Sequence, residues 1–294
     1  MDIPFQDALE LGRLRSFLVF AEHCNFTRAA RELALTQPAL FAQVKRLATD
    51  LGVELYRRKG RSLELSPEGV RVQRFAREWI ERSGDFVREL HGVAPARSVR
   101  LAAGEGAYLY LLGAAIREHR RLSPFALRLL TRDAPGTLQS LRSGEADAGV
   151  AALTELPQDL HTETLRSVGQ NLVLPRGHAL AKKRRVTLDD LEDQALIVPP
   201  VGRPHRTALA RALLGAGVSW RVAVEVSGWE LMLHLVQLGL GIAVVNDIVR
   251  VPRGLVARPL RGLSSIRYQL ITRPGERHES VVELCALLRK HAHR

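Results

Sequence analysis

The chain has 294 residues, of which 46% are hydrophobic, and its 43 Lys and Arg against 31 Asp and Glu give a formal net charge of +12. This length exceeds one ordinary domain and the apolar fraction is ample for buried cores, so we expect two or more compact units in a soluble globular protein. No stretch reaches the roughly 18 uncharged apolar residues of a membrane span. The N-terminus, Met1 to Arg13, carries acids and no apolar run. These observations predict a cytoplasmic protein with no membrane partner.

The basic residues are unevenly distributed. Residues 1 to 95 carry 15 Lys and Arg against 13 Asp and Glu, whereas residues 96 to 294 carry 28 against 18. The excess favours a polyanionic partner such as nucleic acid, but the total charge does not locate a binding site. Between residues 36 and 62, six basic residues face only Asp50 and Glu54 and form a candidate phosphate-binding surface: Lys45, Arg46, Arg57, Arg58, Lys59 and Arg61.

Two helices are predicted before residue 34. Apolar residues recur at three- and four-residue spacing from Leu14 to Ala21, and this pattern ends at Asn25. Thr27 is then predicted to cap a short second helix, because its hydroxyl can accept from an otherwise unpaired backbone N–H. Ala29 and Ala30 give that helix a face of small residues, which allows close packing.

A third helix follows after a turn of about three or four residues. Thr36 is a second capping residue, and Pro38 is tolerated in a first helical turn because its missing N–H would have no partner there. Leu40, Val44, Leu47 and Leu51 continue at helical spacing up to Gly52, a helix stop. Two helices so joined predict a helix-turn-helix whose second helix enters a major groove, with an ordinary helical hairpin as the alternative.

The stretch "LYRRKGRSLELSPEG", residues 55 to 69, predicts two short strands around Lys59 and Gly60. A basic hairpin directly after a recognition helix is a wing, which suits phosphate contact. Ser66, Pro67 and Glu68 then predict the start of a long helix. Apolar residues keep one seam of this helix apolar over nearly three heptads: Val72, Phe75, Trp79, Phe86 and Leu90. We expect this seam to pair two subunits, with packing on the same chain's core as the alternative.

The segment from Leu14 to about Leu90 closely resembles the winged helix-turn-helix of LysR-type transcriptional regulators, in "FTRAARELALTQPALFAQVKRL" and "LGVELYRRKGRSLELSPEG". The resemblance implies base-edge and groove contacts by Gln37 and Pro38, backbone contacts by Lys45 and Arg46, and a wing contact by Arg58. It also implies antiparallel pairing of the long helix in a dimer. This family usually has Ser where the chain has Phe41, and often Arg where it has Ala42. A phosphate or base contact is either missing there or replaced by apolar contact of Phe41 with a thymine methyl. The DNA-binding candidates are Thr36, Gln37, Pro38, Phe41, Lys45, Arg46, Arg58, Lys59 and Arg61.

From Ser98 onward, strand and helix signals alternate, which predicts an α/β region of two small lobes. Strands are predicted at residues 99–103, 127–130, 148–152, 171–175, 196–199, 222–226, 242–245 and 268–272, and helices at 109–120, 137–143, 206–214, 230–238 and 280–292. The stretches "LQSLRSGEADAGV", "LVLPRGHALA", "VTLDDLEDQALIVPP" and "VQLGLGIAVVND" resemble the effector-binding region of the same family, which shares its fold with periplasmic solute-binding proteins.

The predicted fold class is therefore an α+β multidomain protein. It comprises an N-terminal winged helix-turn-helix (residues 1–66), a linker and dimerisation helix (67–92) and a two-lobed α/β periplasmic-binding-protein-like effector domain (97–294). A dimer would present two recognition helices to an inverted-repeat operator.

Ligands of such folds lie between the lobes, at strand C-termini and helix N-termini. The effector-binding candidates are Gly104, Glu105, Gly106, Ala107, Thr131, Ala152, Val201, Gly202, Arg203, Trp229 and Asn246. Family members often carry Ser or Thr after the first strand of this region to hold a carboxylate, whereas this chain has Gly104, Glu105 and Gly106 there. We expect the Glu105 carboxylate to repel an acidic effector if it faces the cleft, whereas Arg203 and His205 could attract one. The alternative is that these charges are solvated.

Signals for catalysis are missing from the sequence. It contains no Gly-x-Ser-x-Gly, Walker loop, His-Glu-x-x-His or Cys-x-x-Cys motif. Cys24 and Cys285 are too few for a disulfide framework or a metal cluster, and we expect two buried thiols. His291 and His293 are predicted to be solvated. The sequence thus predicts no enzyme, no cofactor and no metal site. "KKRR", residues 182–185, is predicted to be an exposed loop, with a DNA or partner contact as the alternative.

Three functions remain open. The leading hypothesis is a homodimeric or homotetrameric regulator that binds double-stranded DNA and responds to a small-molecule effector. The second is a DNA-binding protein without any small ligand. The third is a solute-binding module, or an enzyme, with an incidental N-terminal helical domain.

Overall fold

The computed structural model describes residues 9–60, 62–91, 98–275 and 277–292. The chain divides into two compact units, the first comprising residues 1–100 and 138–147 and the second residues 101–137 and 148–294. In the described part, no helix combines the length and the apolarity that crossing a membrane requires. The predicted boundary between long helix and effector region, at residues 92–96, lies outside the described residues.

The first unit opens with three helices, a two-stranded hairpin and a long helix. These elements are α1 (Leu11–His23), α2 (Phe26–Glu32), α3 (Gln37–Leu51), β1 (Tyr56–Lys59), β2 (Ser62–Leu65) and α4 (Pro67–Leu90). Their order matches the prediction of a winged helix-turn-helix followed by a long helix. The core of this unit is formed by the apolar faces of α1 to α3 with Leu55 and Ala76, and includes Leu14, Phe17, Phe20, Leu40, Val44 and Leu47.

Local caps set most of the helix ends in this unit. The Thr36 hydroxyl accepts from the Ala39 N–H at 3.3 Å, as predicted for the start of α3. Gly52 ends α3 with a φ of +65°, a conformation that glycine adopts without strain. The Ser66 hydroxyl accepts from the Gly69 N–H at 2.8 Å at the start of α4.

The predicted cap of the second helix is wrong. The Asn25 side chain, not Thr27, accepts from the Arg28 N–H at 3.0 Å, and α2 starts one residue before Thr27. Asn is at least as good an N-cap as Thr, and the earlier start buries Phe26 in the core. Thr27 is thereby free for another contact.

The region after residue 97 contains two mixed five-stranded sheets, each with helices packed on it, as predicted for two α/β lobes. The strands are β3 (Ser98–Ala103), β4 (Ala126–Thr131), β5 (Ala148–Ala152), β6 (His161–Val168), β7 (Gln170–Pro175), β8 (Ala195–Val198), β9 (Arg221–Glu225), β10 (Ile242–Asn246), β11 (Leu255–Pro259) and β12 (Ile266–Thr272). The helices are α5 (Glu105–Tyr110), α6 (Gly113–Leu122), α7 (Ala134–Arg142), α8 (Pro204–Gly215), α9 (Trp229–Gln237) and α10 (Glu279–His291).

The strand order is β4-β3-β5-β12-β6 in the first sheet and β11-β7-β10-β8-β9 in the second. Strands β3 and β5 of the first sheet are parallel, and in the second sheet β8 is parallel to both β10 and β9. In each sheet, the carboxyl ends of these parallel strands therefore lie at the same edge. The apolar strands β7, β8 and β10 form the centre of the second lobe, with core clusters on both faces of the sheet. Short 3₁₀ helices occur at Ala179–Lys182 and Asp189–Leu191.

Several sequence predictions need correction here. The single helix predicted at residues 109–120 is two helices, because the chain turns at Leu111 and Leu112 and buries both side chains. Strands β6 and β11 were not predicted. His291 is buried and its Nε2 contacts the Glu118 carboxylate, so it is not a solvated tail residue; His293 lies outside the described residues.

The two cysteines differ in their environment. Cys285 is buried, as expected, but Cys24 is only partly buried, because it occupies the left-handed C-cap of α1 at a φ of +44°. Burial raises the pKa of both thiols above the ordinary value. Of the side chains that the structure describes, no group of three or more His, Cys, Asp or Glu could hold a metal ion.

Candidate functional site

The exposed face of α3 presents a stripe of side chains at four-residue spacing. Gln37, Phe41 and Lys45 are all exposed, whereas Leu40 and Val44 between them are buried in the core. The core therefore fixes which face of α3 is available to a partner. Thr36 and Pro38 are also exposed, at the first turn of the same helix.

Gln37 is held by a residue of the preceding helix. The Thr27 hydroxyl donates to the Gln37 Oε1 at 3.0 Å, across the turn that joins α2 to α3. This contact limits the rotamers of an exposed glutamine whose amide can read a base edge. The sequence analysis did not predict this role of Thr27, because it assigned Thr27 as the cap of α2. With Asn25 as the cap, the Thr27 hydroxyl is available for a contact with the start of α3.

The Phe41 ring is anchored by the aromatic core. It contacts Phe26 edge-to-face at 5.3 Å between centroids, and Phe26 stacks on Phe20 at 4.2 Å. The ring is still 43% exposed. A rigid, half-exposed apolar ring at this place suits contact with a thymine methyl better than a phosphate contact.

The basic candidates differ in how far their charge is already paired. The Arg46 Nε contacts the Asp50 carboxylate at 3.0 Å, and in the wing the Lys59 Nζ contacts the Glu64 carboxylate at 2.9 Å. Hydrogen bonds from Lys59 and Arg57 lower the pKa of Glu64 below its ordinary value, so Glu64 is charged at neutral pH.

Arg58 lies on the opposite face of the wing. Its register partner is Leu63, whereas Arg57 pairs with Glu64, and successive side chains of a strand point to opposite faces. Within the described residues Arg58 forms no ion pair, and it is exposed. Lys45 is likewise exposed on α3 without an ion pair to a described residue. The candidate Arg61 lies outside the described residues.

The apolar seam of α4 is exposed in the single chain. Val72 packs against the core, but Phe75, Trp79, Phe86 and Leu90 are between 39% and 68% exposed. Phe75 and Trp79 stack with their ring centroids 5.9 Å apart. The α4 residues that face α1 are others, including Ala76 and Arg77, which contacts Glu22 at 2.9 Å. The alternative that this seam packs on the same chain's core is therefore wrong for its last four apolar residues.

In the second unit, most of the effector candidates lie at the facing ends of the two sheets. Gly104 caps the start of α5, Glu105 is exposed as its first residue, and Ala107 is buried. Gly106 lies against the Trp229 ring: a Cβ at this position would stand 2.8 Å from the Trp229 Cδ1. This glycine thus allows a close approach of α5 to the first residue of α9.

Two polar contacts join the lobes at the same place. The Arg203 Nη1 contacts the Asp133 carboxylate at 3.1 Å, two residues after the exposed Thr131 at the end of β4. The Tyr110 hydroxyl donates to the Glu230 carboxylate. Burial and the neighbouring Glu230 raise the pKa of Tyr110, which keeps it a hydrogen-bond donor. Arg203 is exposed, and its charge is already paired with Asp133.

His205 is not the cationic residue that we expected. It is 7% exposed, its ring packs edge-to-face on Trp229 at 4.8 Å, and no described group hydrogen-bonds to either ring nitrogen. Burial lowers its pKa to about 4, so the imidazole is neutral at neutral pH. It cannot attract an acidic effector by charge.

The remaining effector candidates lie in two places. Asn246 ends β10, is buried, and its Nδ2 donates to the Tyr268 hydroxyl at 3.1 Å. Tyr268 pairs in register with Ala152 at the end of β5, so Asn246 and Ala152 lie near each other. Val201 is 80% exposed and Gly202 adopts a φ of +88° in the turn before α8.

Comparison with known proteins places both regions in one family. Residues 11–70 match the model of the bacterial regulatory helix-turn-helix protein of the LysR family, and residues 93–293 match the LysR substrate binding domain. The chain therefore belongs to the LysR family of transcriptional regulators, with a DNA-binding helix-turn-helix and an effector-binding domain. The regulators among its relatives are not enzymes, and no enzyme family is indicated.

Relatives match along most of their length. The RuBisCO operon transcriptional regulator of Allochromatium vinosum is 26% identical over 277 residues, covering 92% of this chain and 91% of that protein. The regulator AlsR of Bacillus subtilis is 29% identical over 245 residues, covering 81% and 80%. A full-length OxyR variant from Pseudomonas aeruginosa is similar in structure, with a TM-score of 0.65 and 25% identity over 97% of this chain and 94% of that one. CbnR in complex with its target DNA shares the fold, with a TM-score of 0.57 and 22% identity over 97% and 100%.

Proposed function

We propose that this chain is a sequence-specific regulator that binds an inverted-repeat operator as a dimer or tetramer. The observation that carries the proposal is the exposed stripe of α3, in which Gln37 is oriented by Thr27 and Phe41 by the aromatic core. Arg58, exposed on the wing, supplies a phosphate contact. CbnR, which shares the fold, has been crystallised with its target DNA, which supports DNA binding by a chain of this fold.

The subunits pair through the exposed seam of α4. Four large apolar side chains on one helix face are costly to leave in water, and a second copy of the same seam would cover them. An isologous pair places two α3 helices in two half-sites, so the operator is an inverted repeat.

The second unit responds to a small molecule held between its lobes, near Gly104–Ala107, Thr131, Arg203 and Trp229. The parallel strands that end there, and the contacts that cross between the lobes, support this placement. A regulator without a small-molecule effector is the second candidate. It is favoured by the observation that Arg203 is already paired with Asp133 and that His205 is buried and neutral.

The experiment that tests the operator claim is a genome-wide selection of DNA fragments bound by the purified full-length chain, with salt varied. The variant Arg58→Ala is compared with Arg211→Ala, which removes an equally exposed arginine from α8. An inverted repeat enriched by the wild type and by Arg211→Ala, but not by Arg58→Ala, supports the proposal. Salt-sensitive binding without a shared motif would contradict it.

The effector claim has its own test. A thermal-shift screen of small organic acids, amines and neutral metabolite-like compounds is run on the full-length chain, since a ligand of the folded state stabilises it by mass action. Compounds that raise the melting temperature of the wild type but not of Trp229→Ala support an effector between the lobes. The absence of any such compound favours the regulator without an effector and leaves the operator claim intact.

A further inference from the structure

One edge of the second sheet carries a dense set of positive charges. β11 is the edge strand, and residues 176–186 run beside it: the Arg176 N–H donates to the Gly254 carbonyl at 3.2 Å, and the Arg261 N–H donates to the Val186 carbonyl at 2.8 Å. The Arg258 guanidinium ties the middle of this segment to the strand, donating to the Ala181 carbonyl at 2.7 and 3.0 Å. We call the exposed cations of this edge the basic edge: Arg176, Lys182, Lys183, Arg184, Arg185 and Arg261.

Most of this charge is not neutralised by the protein itself. Lys183 pairs with Asp190. The other five residues of the basic edge form no ion pair with any residue that the structure describes. The basic edge also accounts for part of the uneven charge distribution along the chain, in which residues 96–294 carry 28 basic and 18 acidic residues. Five unpaired cations on one edge create a local field that attracts a polyanion.

The dimensions fit a nucleic-acid backbone. β11 has five residues, and at about 3.3 Å per residue the basic edge extends over roughly 17 Å. A DNA duplex carries one negative charge per about 1.7 Å of its axis, both strands counted, so about ten phosphates lie along a duplex segment of this length. Exposed arginines can hold phosphate oxygens through two parallel hydrogen bonds.

The chemistry of the surface favours DNA over an acidic protein. Specific protein interfaces are centred on buried aromatic or aliphatic anchors, whereas protein–DNA interfaces are polar and strongly positive. No large apolar side chain is exposed in residues 176–186 or 253–261, a part of the chain that the structure describes throughout. The basic edge thus has the charge of a DNA interface and lacks the anchors of a protein interface.

We propose that the basic edge is a second, sequence-independent contact surface for the phosphate backbone of double-stranded DNA. The proposal rests on the proposed function, in which α3 and the wing select the operator. Phosphate contacts position a protein without reading sequence, so this surface adds affinity and salt dependence but no specificity. It assigns a role to residues 182–185 that neither the helix-turn-helix nor the cleft uses.

The test compares two double variants of the full-length chain. Arg184→Ala with Arg185→Ala removes two charges from the basic edge. Arg211→Ala with Arg221→Ala is the matched control, because these arginines are exposed on α8 and on β9, the opposite edge strand of the same sheet. Binding to long random-sequence duplexes, and to the selected operator with long flanks, is measured by fluorescence anisotropy over a salt series. Thermal unfolding checks that both variants fold, and Lys182→Ala with Arg261→Ala serves as a second edge variant.

We expect the basic-edge variants to lower the slope of log affinity against log salt by about two, since each phosphate contact contributes about 0.9 to that slope. The control keeps the wild-type slope, and every variant keeps the wild-type preference for the operator. Equal slopes for the wild type and both basic-edge variants would overturn the proposal, because they would show that the basic edge makes no phosphate contact. A wild type without any operator preference contradicts the proposed function but leaves the comparison of slopes valid.

Discussion

The Thr27 hydroxyl donates to the Gln37 side-chain oxygen at 3.0 Å, linking the two helices of the helix-turn-helix at the point where α3 begins. We expect Thr27→Val, which keeps the shape but removes the donor, to weaken operator binding about fivefold, because a neutral hydrogen bond contributes about 1 kcal/mol. Gln37→Ala should weaken binding further, since it removes the base-reading group itself.

A double-mutant cycle by fluorescence anisotropy separates these roles. If Thr27 acts by orienting Gln37, the double variant should bind no worse than Gln37→Ala alone. Additive losses would mean that Thr27 contacts DNA independently. Arg31→Ala, exposed at the other end of α2, is the control for a general effect of α2 substitutions.

The apolar seam of α4 makes a prediction about subunit pairing. We expect Phe86→Glu to weaken dimerisation by at least about tenfold, because a charge would replace an apolar side chain in the proposed pairing surface. Since Phe86 is 60% exposed in the single chain, the stability of the monomer should not change. Sedimentation velocity over a concentration series measures the association.

Val282→Glu is the control for that experiment. Val282 is 52% exposed on α10, so the substitution introduces the same charge at a comparable exposed apolar site. Association that is weakened equally by both substitutions would show that the seam of α4 is not the pairing surface.

Because Gly106 lies close to Trp229, we expect alanine to destabilise the protein more at Gly106 than at Gly113. A Cβ at Gly106 would stand 2.8 Å from the Trp229 Cδ1 and 3.0 Å from its Nε1, so Gly106→Ala should destabilise the second unit by about 1–3 kcal/mol through overpacking. Gly113→Ala is the control, because nothing lies within 4 Å of a Cβ there. Urea unfolding measures both; equal stabilities would show that the lobes adjust without cost.

The lowered pKa of His205 leads us to expect that the folded protein loses stability in mild acid. Its pKa is about 4 in the folded chain, below the ordinary value of about 6.5. As the pH falls from 6.5 to 4, the unfolded chain binds a proton that the folded chain does not, so stability present above pH 6.5 is lost. The total is roughly 3 kcal/mol, because one unit of pKa corresponds to about 1.4 kcal/mol.

His205→Phe tests this linkage while keeping an aromatic ring against Trp229. The free energy of unfolding of this variant should fall less between pH 7 and pH 4 than that of the wild type. The control His234→Phe removes an exposed histidine of α9 and should follow the wild type. Parallel pH curves for the wild type and His205→Phe would mean that the pKa of His205 is the same in the folded and the unfolded chain.

Predictions from sequence succeeded where the cause is local. Thr36, Gly52 and Ser66 act within one turn of their own helices, so their residue types suffice to place the ends of α3 and α4. The apolar spacing of α3 likewise depends only on helical period. Such reasoning failed at Thr27, because Asn25 and Thr27 could both cap the same helix and burial of Phe26 decided between them.

Other failures come from contacts between distant parts of the chain. Strand β6 is not an apolar run in the sequence and becomes a strand by pairing with β12, about a hundred residues later. His291 lies in a basic segment, yet α10 packs it against Glu118. His205 was expected to be able to attract an acidic effector, but its ring is buried against Trp229.

The sequence by itself determined the family, the order of the elements from α1 to α4 and the residues of the α3 face, because these depend on residue type and short-range spacing. Only the tertiary structure decided which charges are available. Arg203 is paired with Asp133 and Lys59 with Glu64, whereas five cations of the basic edge have no ion pair with described residues. Ion pairing and burial depend on which segments the fold brings together, and residues far apart in the chain set them.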